Sequence, residues 1–322
     1  MNKEKFCFVI DRKSSISFSL FSNTFSKKNT YSFYHALLPI KSVFSKIYNK
    51  VMRFLDKFII PRKVLAKKKF NDKIVFFTNE SLNGLDKEII LDIKTKAKAT
   101  VLFFIDELFN DYESMSTAKK MISDKDKIFD LVYTFSPKDA EKYNLLKTMN
   151  YYHCLELKHD KIIPRVFFVG NIKRRKEFLS DLSFLFDKKG VDYHFVIDGL
   201  KENVFKKWKR GRISYYKNIK NVYSSNVILD MADERQTGMT LRYYEAVCYN
   251  KKLLTNNANI INMPYYDEKY MKVYKTVGDV EKIDKSWFTA VENIDYGYKC
   301  EFEPKYFLEQ IEKDLIKRVD KN

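Results

Sequence analysis

The sequence predicts an α/β protein made of two consecutive domains, each a parallel sheet covered by helices, and three observations predict it. Short apolar runs of strand length alternate with longer segments of helical period, as they do when a sheet is buried on both faces. The alternation breaks at K-H-D-K-I-I-P, from Lys158 to Pro164, and then begins again. A chain of 322 residues with 45% apolar and 16% aromatic residues is long for one core and comfortable for two. Its 8 glycines and 6 prolines are too few for a low-complexity architecture, and no internal repeat is visible.

In chain order, Phe6 to Ile10 reads as a first buried strand ending at Asp11, and the serine-rich stretch to Ser32 shows no clear period. Tyr34 to Leu38, which includes His35, is either a short helix or a loop. Between Lys41 and Lys73, Phe44, Ile47, Tyr48, Val51, Phe54, Leu55 and Phe58 recur at helical spacing, with Lys46, Lys50, Arg53 and Lys57 on the other face. Pro61-Arg62-Lys63 and Lys67-Lys68-Lys69 extend the positive charge. Such a segment either packs its stripe on a sheet with the lysines solvated, or lies in an anionic membrane interface.

Strands follow at Ile74 to Thr78, Thr100 to Ile105 and Leu131 to Phe135. Asn79-Glu80 and Asp106-Glu107 follow two of these strands, on the side where parallel sheets bind their ligands. Ser136-Pro137 reads as a helix start with proline at the first helical position. The second series opens with a strand from Arg165 to Val169, with Gly170-Asn171 at its end, then a basic helix from Arg174 to Phe186 and a strand from Tyr193 to Ile197. Pro304 to Val319, with Phe307, Ile311 and Leu315 four apart, reads as an amphipathic closing helix. The expected domains are 1–162 and 163–303, followed by the helix at 304–322.

The net charge of +18 requires acidic company: nucleic acid, an anionic membrane surface or phosphorylated substrates. The basic residues are spread through the chain with no nucleic-acid-binding pattern, which argues against the first. Cys7, Cys154, Cys248 and Cys300 are too widely spaced for a zinc site or disulfide framework and read as reduced, mostly buried thiols. The first apolar run is too short for a signal peptide, and none approaches the roughly 18 residues of a spanning helix. The expected location is therefore cytoplasmic, soluble or peripheral.

Asn226 to Asn257 carries most of the chemistry. A short strand, Val227 to Leu229, ends at Asp230. A polar loop then leads through Gln236, Thr237 and Gly238 into a helix containing Met239, Leu241, Ala246 and Val247, and Lys251 to Thr255 reads as the next strand. The helix N-terminus of such a β-α-β unit is an anion site. Thr237 and Thr240 offer hydroxyls, Gly238 permits close backbone approach, and Arg242 supplies a charged fork suited to a diphosphate. Glu245, three residues on, could accept hydrogen bonds from ribose hydroxyls. The same residues would also suit an ordinary Arg/Glu surface pair beside a threonine cap.

The run Q-T-G-M-T-L-R-Y-Y-E followed by K-K-L-L-T-N-N resembles the nucleotide-sugar domain of bacterial capsule and lipopolysaccharide glycosyltransferases of GT-B architecture, with support from F-D-L-V-Y-T-F-S-P-K-D-A-E-K-Y-N-L and V-F-F-V-G-N upstream. The resemblance covers about the last two hundred residues. It implies two Rossmann-like domains facing a central cleft, with a C-terminal helix crossing back. It also implies transfer from a nucleotide-diphosphate sugar, with no other cofactor, to a glycan or lipid-linked glycan at the inner face of the cell membrane. Nucleic acid is not among the expected partners. A non-catalytic nucleic-acid-binding or scaffold protein is the alternative.

The departing diphosphate must be stabilised, by a divalent metal on an Asp-x-Asp or by Arg, Thr and a helix N-terminus. The one Asp-x-Asp pattern, Asp124-Lys125-Asp126, precedes a strand in a polar run, so metal-independent chemistry is expected. Gln236, Gly238, Thr240, Arg242 and Glu245 are the expected donor residues, with Gly170, Asn171 and Arg174 as a second hold on the phosphates. Asp106 is the candidate general base of an inverting reaction, with Asp11, His35 and Glu107 as rivals. A retaining reaction would need no such base.

Overall fold

The computed structural model describes residues 5–10, 20–21, 30–32, 70–82, 85–109, 113–157, 161–200 and 205–320. Asp11, His35, His159 and the basic stripe as far as Lys69 lie outside the described residues. The chain divides into two units, Met1–His153 with Phe302–Asn322, and Cys154–Glu301.

The first unit holds a six-stranded parallel sheet in the order β2-β1-β3-β4-β5-β6. Its strands are β1 (Phe6–Ile10), β2 (Thr30–Ser32), β3 (Ile74–Thr78), β4 (Ala99–Phe104), β5 (Leu131–Thr134) and β6 (Leu146–Lys147). Every residue of β3 and β4 is buried, which explains their unbroken apolar sequences IVFFT and ATVLFF. Helices α1 (Lys87–Lys96), α2 (Glu113–Ile122), α3 (Lys125–Ile128) and α4 (Pro137–Tyr143) connect the strands. The Ser136 side chain accepts from Asp139 N at the start of α4, Pro137 occupies the first turn, and Asn144 closes the helix in the left-handed region.

The second unit has the order β12-β11-β10-β7-β8-β9, again all parallel. Its strands are β7 (Ile163–Asn171), β8 (Asp192–Asp198), β9 (Trp208–Arg210), β10 (Ser225–Asp230), β11 (Lys252–Thr255) and β12 (Met271–Val273). Its helices are α5 (Lys176–Lys189), α6 (Tyr215–Ser224), α7 (Leu241–Cys248), α8 (Val277–Glu281) and α9 (Lys285–Thr289). From β7 the chain builds outward through β8 and β9, then returns to place β10, β11 and β12 on the other side. Doubly wound sheets open a ligand crevice outside the carboxyl ends of the two strands where the order reverses, here β7 and β10.

The last helix, α10 (Pro304–Val319), belongs to the first unit. Phe307, Leu308 and Ile311 are fully buried. The Phe307 ring stacks on Tyr151 at 4.5 Å and meets Phe103 at 4.8 Å and Tyr133 at 5.0 Å edge-on, while Tyr133 Oη donates to Asp314 Oδ2 at 2.8 Å. No helix among the described residues is long and apolar enough to cross a membrane.

Two details depart from the sequence reading. The second unit starts at Cys154, ahead of the composition break, because Leu155 N donates to Tyr249 Oη at 3.0 Å and Cys154 Sγ donates to the Cys248 carbonyl at 3.7 Å. None of the four cysteines forms a disulfide, but Cys7 alone is fully buried, and Cys300 is exposed in a left-handed turn.

Candidate functional site

The β7–β10 crevice is organised by a buried carboxylate. Asp230 ends β10 with 5% exposure. Its Oδ1 accepts from Thr240 Oγ1 at 2.9 Å, its Oδ2 accepts from Thr255 Oγ1 at 2.8 Å, and its carbonyl accepts from Tyr274 Oη at 2.9 Å. One residue thereby joins the ends of β10 and β11, the start of α7 and the segment after β12. Burial pushes the Asp230 carboxyl above its ordinary range, against the pull of the two threonine hydroxyls and of Arg242 and Arg175. Thr240 caps α7, which starts at Leu241 and leaves Met239 outside the helix, contrary to the sequence reading, and its oxygen accepts from Arg242 N at 3.2 Å. Its proton, however, goes to Asp230. Towards an anion the cap therefore presents the helix N-terminus, not the hydroxyl donor that residue type alone suggested.

Arg242 and Glu245 share a helix face as their spacing requires, but Glu245 is inside, with 1% exposure. Its Oε2 accepts from Arg242 Nη1 and its Oε1 accepts from Asn218 Nδ2 at 3.0 Å. Burial raises the Glu245 carboxyl, while Arg242 and then Asn218 oppose the rise. An open carboxylate awaiting a ribose is not what the structure shows; Glu245 is the counter-ion of Arg242. The guanidinium also donates to Asn218 Oδ1 at 3.3 Å and lies 3.5 Å from the Val169 carbonyl, next to Gly170, with its side chain 18% exposed.

A Cβ at Gly170 would stand 2.7 Å from Cζ of the Phe168 ring, so the ring would have to shift to admit one. Asn171 donates from Nδ2 to Asp198 Oδ2 at 3.4 Å. Arg174 is exposed. Arg175 has a role that composition did not disclose. Its Nε and Nη2 donate to the Met231 carbonyl at 3.0 and 2.7 Å and its Nη1 to the Asn171 carbonyl at 3.2 Å, so it ties the loops after β7 and β10 together.

The loop between β10 and α7 is held down by side-chain amides. Gln236 Nε2 and Asn257 Nδ2 both donate to the Gly238 carbonyl, at 3.2 and 3.1 Å. Asn259 Nδ2 donates to the Thr237 carbonyl at 3.1 Å, and Asn256 pairs with both backbone groups of Ala232 at 2.7 and 2.9 Å. Thus Gln236 and Gly238 are brought to the site, and the asparagines after β11 fix the loop that holds them.

In the first unit, Asp106 follows β4 in a turn fixed from two sides. Fully buried Asn79 accepts from Ile105 N at 2.8 Å and donates from Nδ2 to Asp106 Oδ2 at 3.4 Å, while Asp139 Oδ2 accepts from Leu108 N at 2.8 Å. Desolvation, then the charge of Glu80, raise the Asp106 carboxyl from its ordinary 3.8 to about 6, with the Asn79 hydrogen bond opposing them. Glu107 is buried. Of the Asp-x-Asp pattern, Asp124 pairs with Lys87 at 2.6 Å and Asp126 is exposed beside Lys125 at 2.9 Å.

No family model and no curated protein matches the sequence. Solved structures do match in fold. An α-glucosyltransferase in complex with UDP and a 13-mer DNA containing a central A:G mismatch is 10% identical, with 91% of this chain and 86% of that chain covered and a TM-score of 0.51. A Listeria monocytogenes protein named as a UDP-N-acetylglucosamine 2-epimerase is 8% identical over 92% of this chain and 85% of its own, with a TM-score of 0.49. Two Rossmann-like units in one chain are the make-up of GT-B glycosyltransferases, and the likeness is one of fold.

Proposed function

We propose that the protein is a metal-independent glycosyltransferase. It binds a nucleotide-diphosphate sugar at the β7–β10 crevice and passes the sugar to a surface-polysaccharide or lipid-linked glycan. The observation that carries this reading is the Arg242 guanidinium held beside the end of β7, at the N-terminus of α7, where the strand order reverses. Bond cleavage loads charge onto the departing diphosphate. A guanidinium and a helix N-terminus fixed in advance stabilise that charge without reorganising. Gly170, Asn171, Arg174, Gln236, Gly238 and the Thr240 cap supply the surrounding surface, and Glu245 holds Arg242 in place.

In an inverting reaction Asp106 takes the proton of the acceptor hydroxyl, a task suited to a carboxyl raised to about 6. The acceptor class rests on the resemblance of the Gln236 to Asn257 run to capsule and lipopolysaccharide enzymes. Attachment to the inner face of the membrane rests on the basic stripe from Lys41 to Lys73.

The test is a thermal-shift panel of UDP, GDP, CMP and dTDP, followed by turnover of the matching nucleotide sugars. A ligand at 100 times its Kd adds about 2.7 kcal/mol to the state that binds it. At least one diphosphate should raise the melting temperature, and absence of any shift at millimolar nucleotide would overturn the reading.

A second reading keeps the chemistry and changes the acceptor to nucleic acid. It is favoured by the net charge of +18, and the α-glucosyltransferase of like fold was solved with both UDP and DNA. Sugar transfer to DNA, with affinity falling steeply as salt rises, would select it over the glycan acceptor.

A further inference from the structure

Arg242 stands in the first turn of α7, where the helix dipole is positive, so its own helix repels it. The counter-charge, Glu245, is desolvated, and a buried carboxylate is tolerable only when its oxygens are engaged. Asn218 on α6, with 7% exposure, meets both requirements with the two ends of one amide. Its Oδ1 accepts from Arg242 Nη1 at 3.3 Å, and its Nδ2 donates to Glu245 Oε1 at 3.0 Å. An amide can accept from a guanidinium and donate to a carboxylate at once, where a carboxylate would face Glu245 and an ammonium would face Arg242.

We propose that Asn218 is the positioning residue of the donor site, and that the Asn218–Glu245 pair holds the Arg242 guanidinium at the end of β7 to take a nucleoside diphosphate in preference to the monophosphate. The proposal rests on the reading of Arg242 as the diphosphate ligand. Asn218 itself touches no substrate. Its effect is to remove rotamer freedom from a long side chain before the ligand arrives, so that less entropy is lost on binding. It reaches both Arg242 and Glu245 from a separate helix, α6.

The experiment is isothermal calorimetry of the unaltered chain and its variants with UDP, GDP and dTDP and with the three monophosphates. Far-UV circular dichroism of each variant checks the fold. The readout is the ratio of diphosphate to monophosphate affinity, which a merely structural role would leave in place. Asn218→Leu should lower that ratio about tenfold, the size of one charged hydrogen-bond arrangement. Asn218→Asp, which sets two carboxylates side by side, should lower it as well. The double variant Asn218→Asp with Glu245→Gln restores one amide and one carboxylate with their places exchanged, and should recover most of the ratio.

These last two are nearly isosteric with the natural residues, so they carry the test if Asn218→Leu does not fold. A double variant no better than Asn218→Asp, or a folded Asn218→Leu with an unchanged ratio, would overturn the inference. Arg242→Ala separates it from the reading beneath it. If Arg242→Ala costs the preference while the Asn218 variants keep it, the inference alone fails. If Arg242→Ala leaves it unchanged, or no diphosphate binds the unaltered chain, both fail.

Discussion

Replacing Asp106 by Asn should make the protein more stable and less active, and the structure sets the size of the gain. The carboxyl is raised from 3.8 to about 6, so the folded state holds its proton over a range in which the unfolded chain has released it. Stability from this group is therefore present at low pH, declines from about pH 4 to pH 6, and is absent above that. At 1.36 kcal/mol per tenfold, keeping the charge in the folded state costs about 3 kcal/mol at pH 8 and about 0.6 kcal/mol at pH 4. An amide avoids this cost, can still accept from Asn79 Nδ2, and removes the repulsion from Glu80. After its own desolvation, a net gain of about 1 to 2 kcal/mol is expected at pH 8, vanishing towards pH 4. Urea unfolding followed by far-UV circular dichroism is the assay, because both tryptophans, Trp208 and Trp287, lie in the second unit and their fluorescence would miss the first. Activity should fall by at least about a hundredfold if Asp106 is the base. A variant less stable than its parent at pH 8, or equally stabilised at both pH values, would refute the argument from desolvation.

The other expectations concern the donor site and the partners. Arg242→Ala should cost about 1.5 to 3 kcal/mol of transition-state stabilisation, read as a fall in kcat/KM with nucleotide sugar. Gly170→Ala should destabilise the second unit by about 1 to 3 kcal/mol in thermal unfolding, since the Cβ stands 2.7 Å from the ring of the buried Phe168; an unchanged melting temperature would show that the ring gives way freely. Turnover should survive excess EDTA, and loss on chelation restored by Mg²⁺ or Mn²⁺ would refute the metal-independent mechanism. Sedimentation with anionic liposomes should weaken as salt shortens the Debye length from about 10 Å at 0.1 M to about 3 Å at 1 M, and weaken further when Lys67, Lys68 and Lys69 become Glu.

What was legible in the sequence follows the range of the interactions. Buried strands announce themselves through continuous apolar runs, so β1, β3 and β11 emerge within a residue of where they are read, and β10 begins two residues earlier, at Ser225. The α4 cap is local, and Ser136-Pro137 gives it away. β6 at Leu146–Lys147 and the three-residue strands β2, β9 and β12 are too short to show a period. At the β7–β10 crevice the spacing of Thr240, Arg242 and Glu245 is visible in the sequence, whereas the direction of each polar group is not. Where the Thr240 proton points is decided by Asp230, ten residues earlier, and what occupies Glu245 is decided in part by Asn218, 27 residues earlier on another helix. Residue type announces hydrogen-bonding capacity; only the fold shows how much of it is already spent.

The same distinction bears on the base. The first sheet reverses its order at β1, which carries β2 on one side and β3 on the other, so its crevice opens outside the ends of β1 and β3. Asn79 and Glu80 stand at the end of β3, and Asp106 follows β4, one strand farther out. Position alone would therefore give Asp106 no advantage over a carboxylate at the end of β1. Its advantage is the local construction. The turn that carries it is held by Asn79 from β3 and by Asp139 from α4, which fixes its direction. Burial and Glu80 then bring its carboxyl to about 6, where a base is ionised at neutral pH yet still basic enough to take a proton. Each of these features costs stability or restricts the turn. A carboxylate that merely capped a helix would need neither the burial nor the neighbouring charge, and their conjunction at a strand end is the physical reason for proposing Asp106 for the proton transfer.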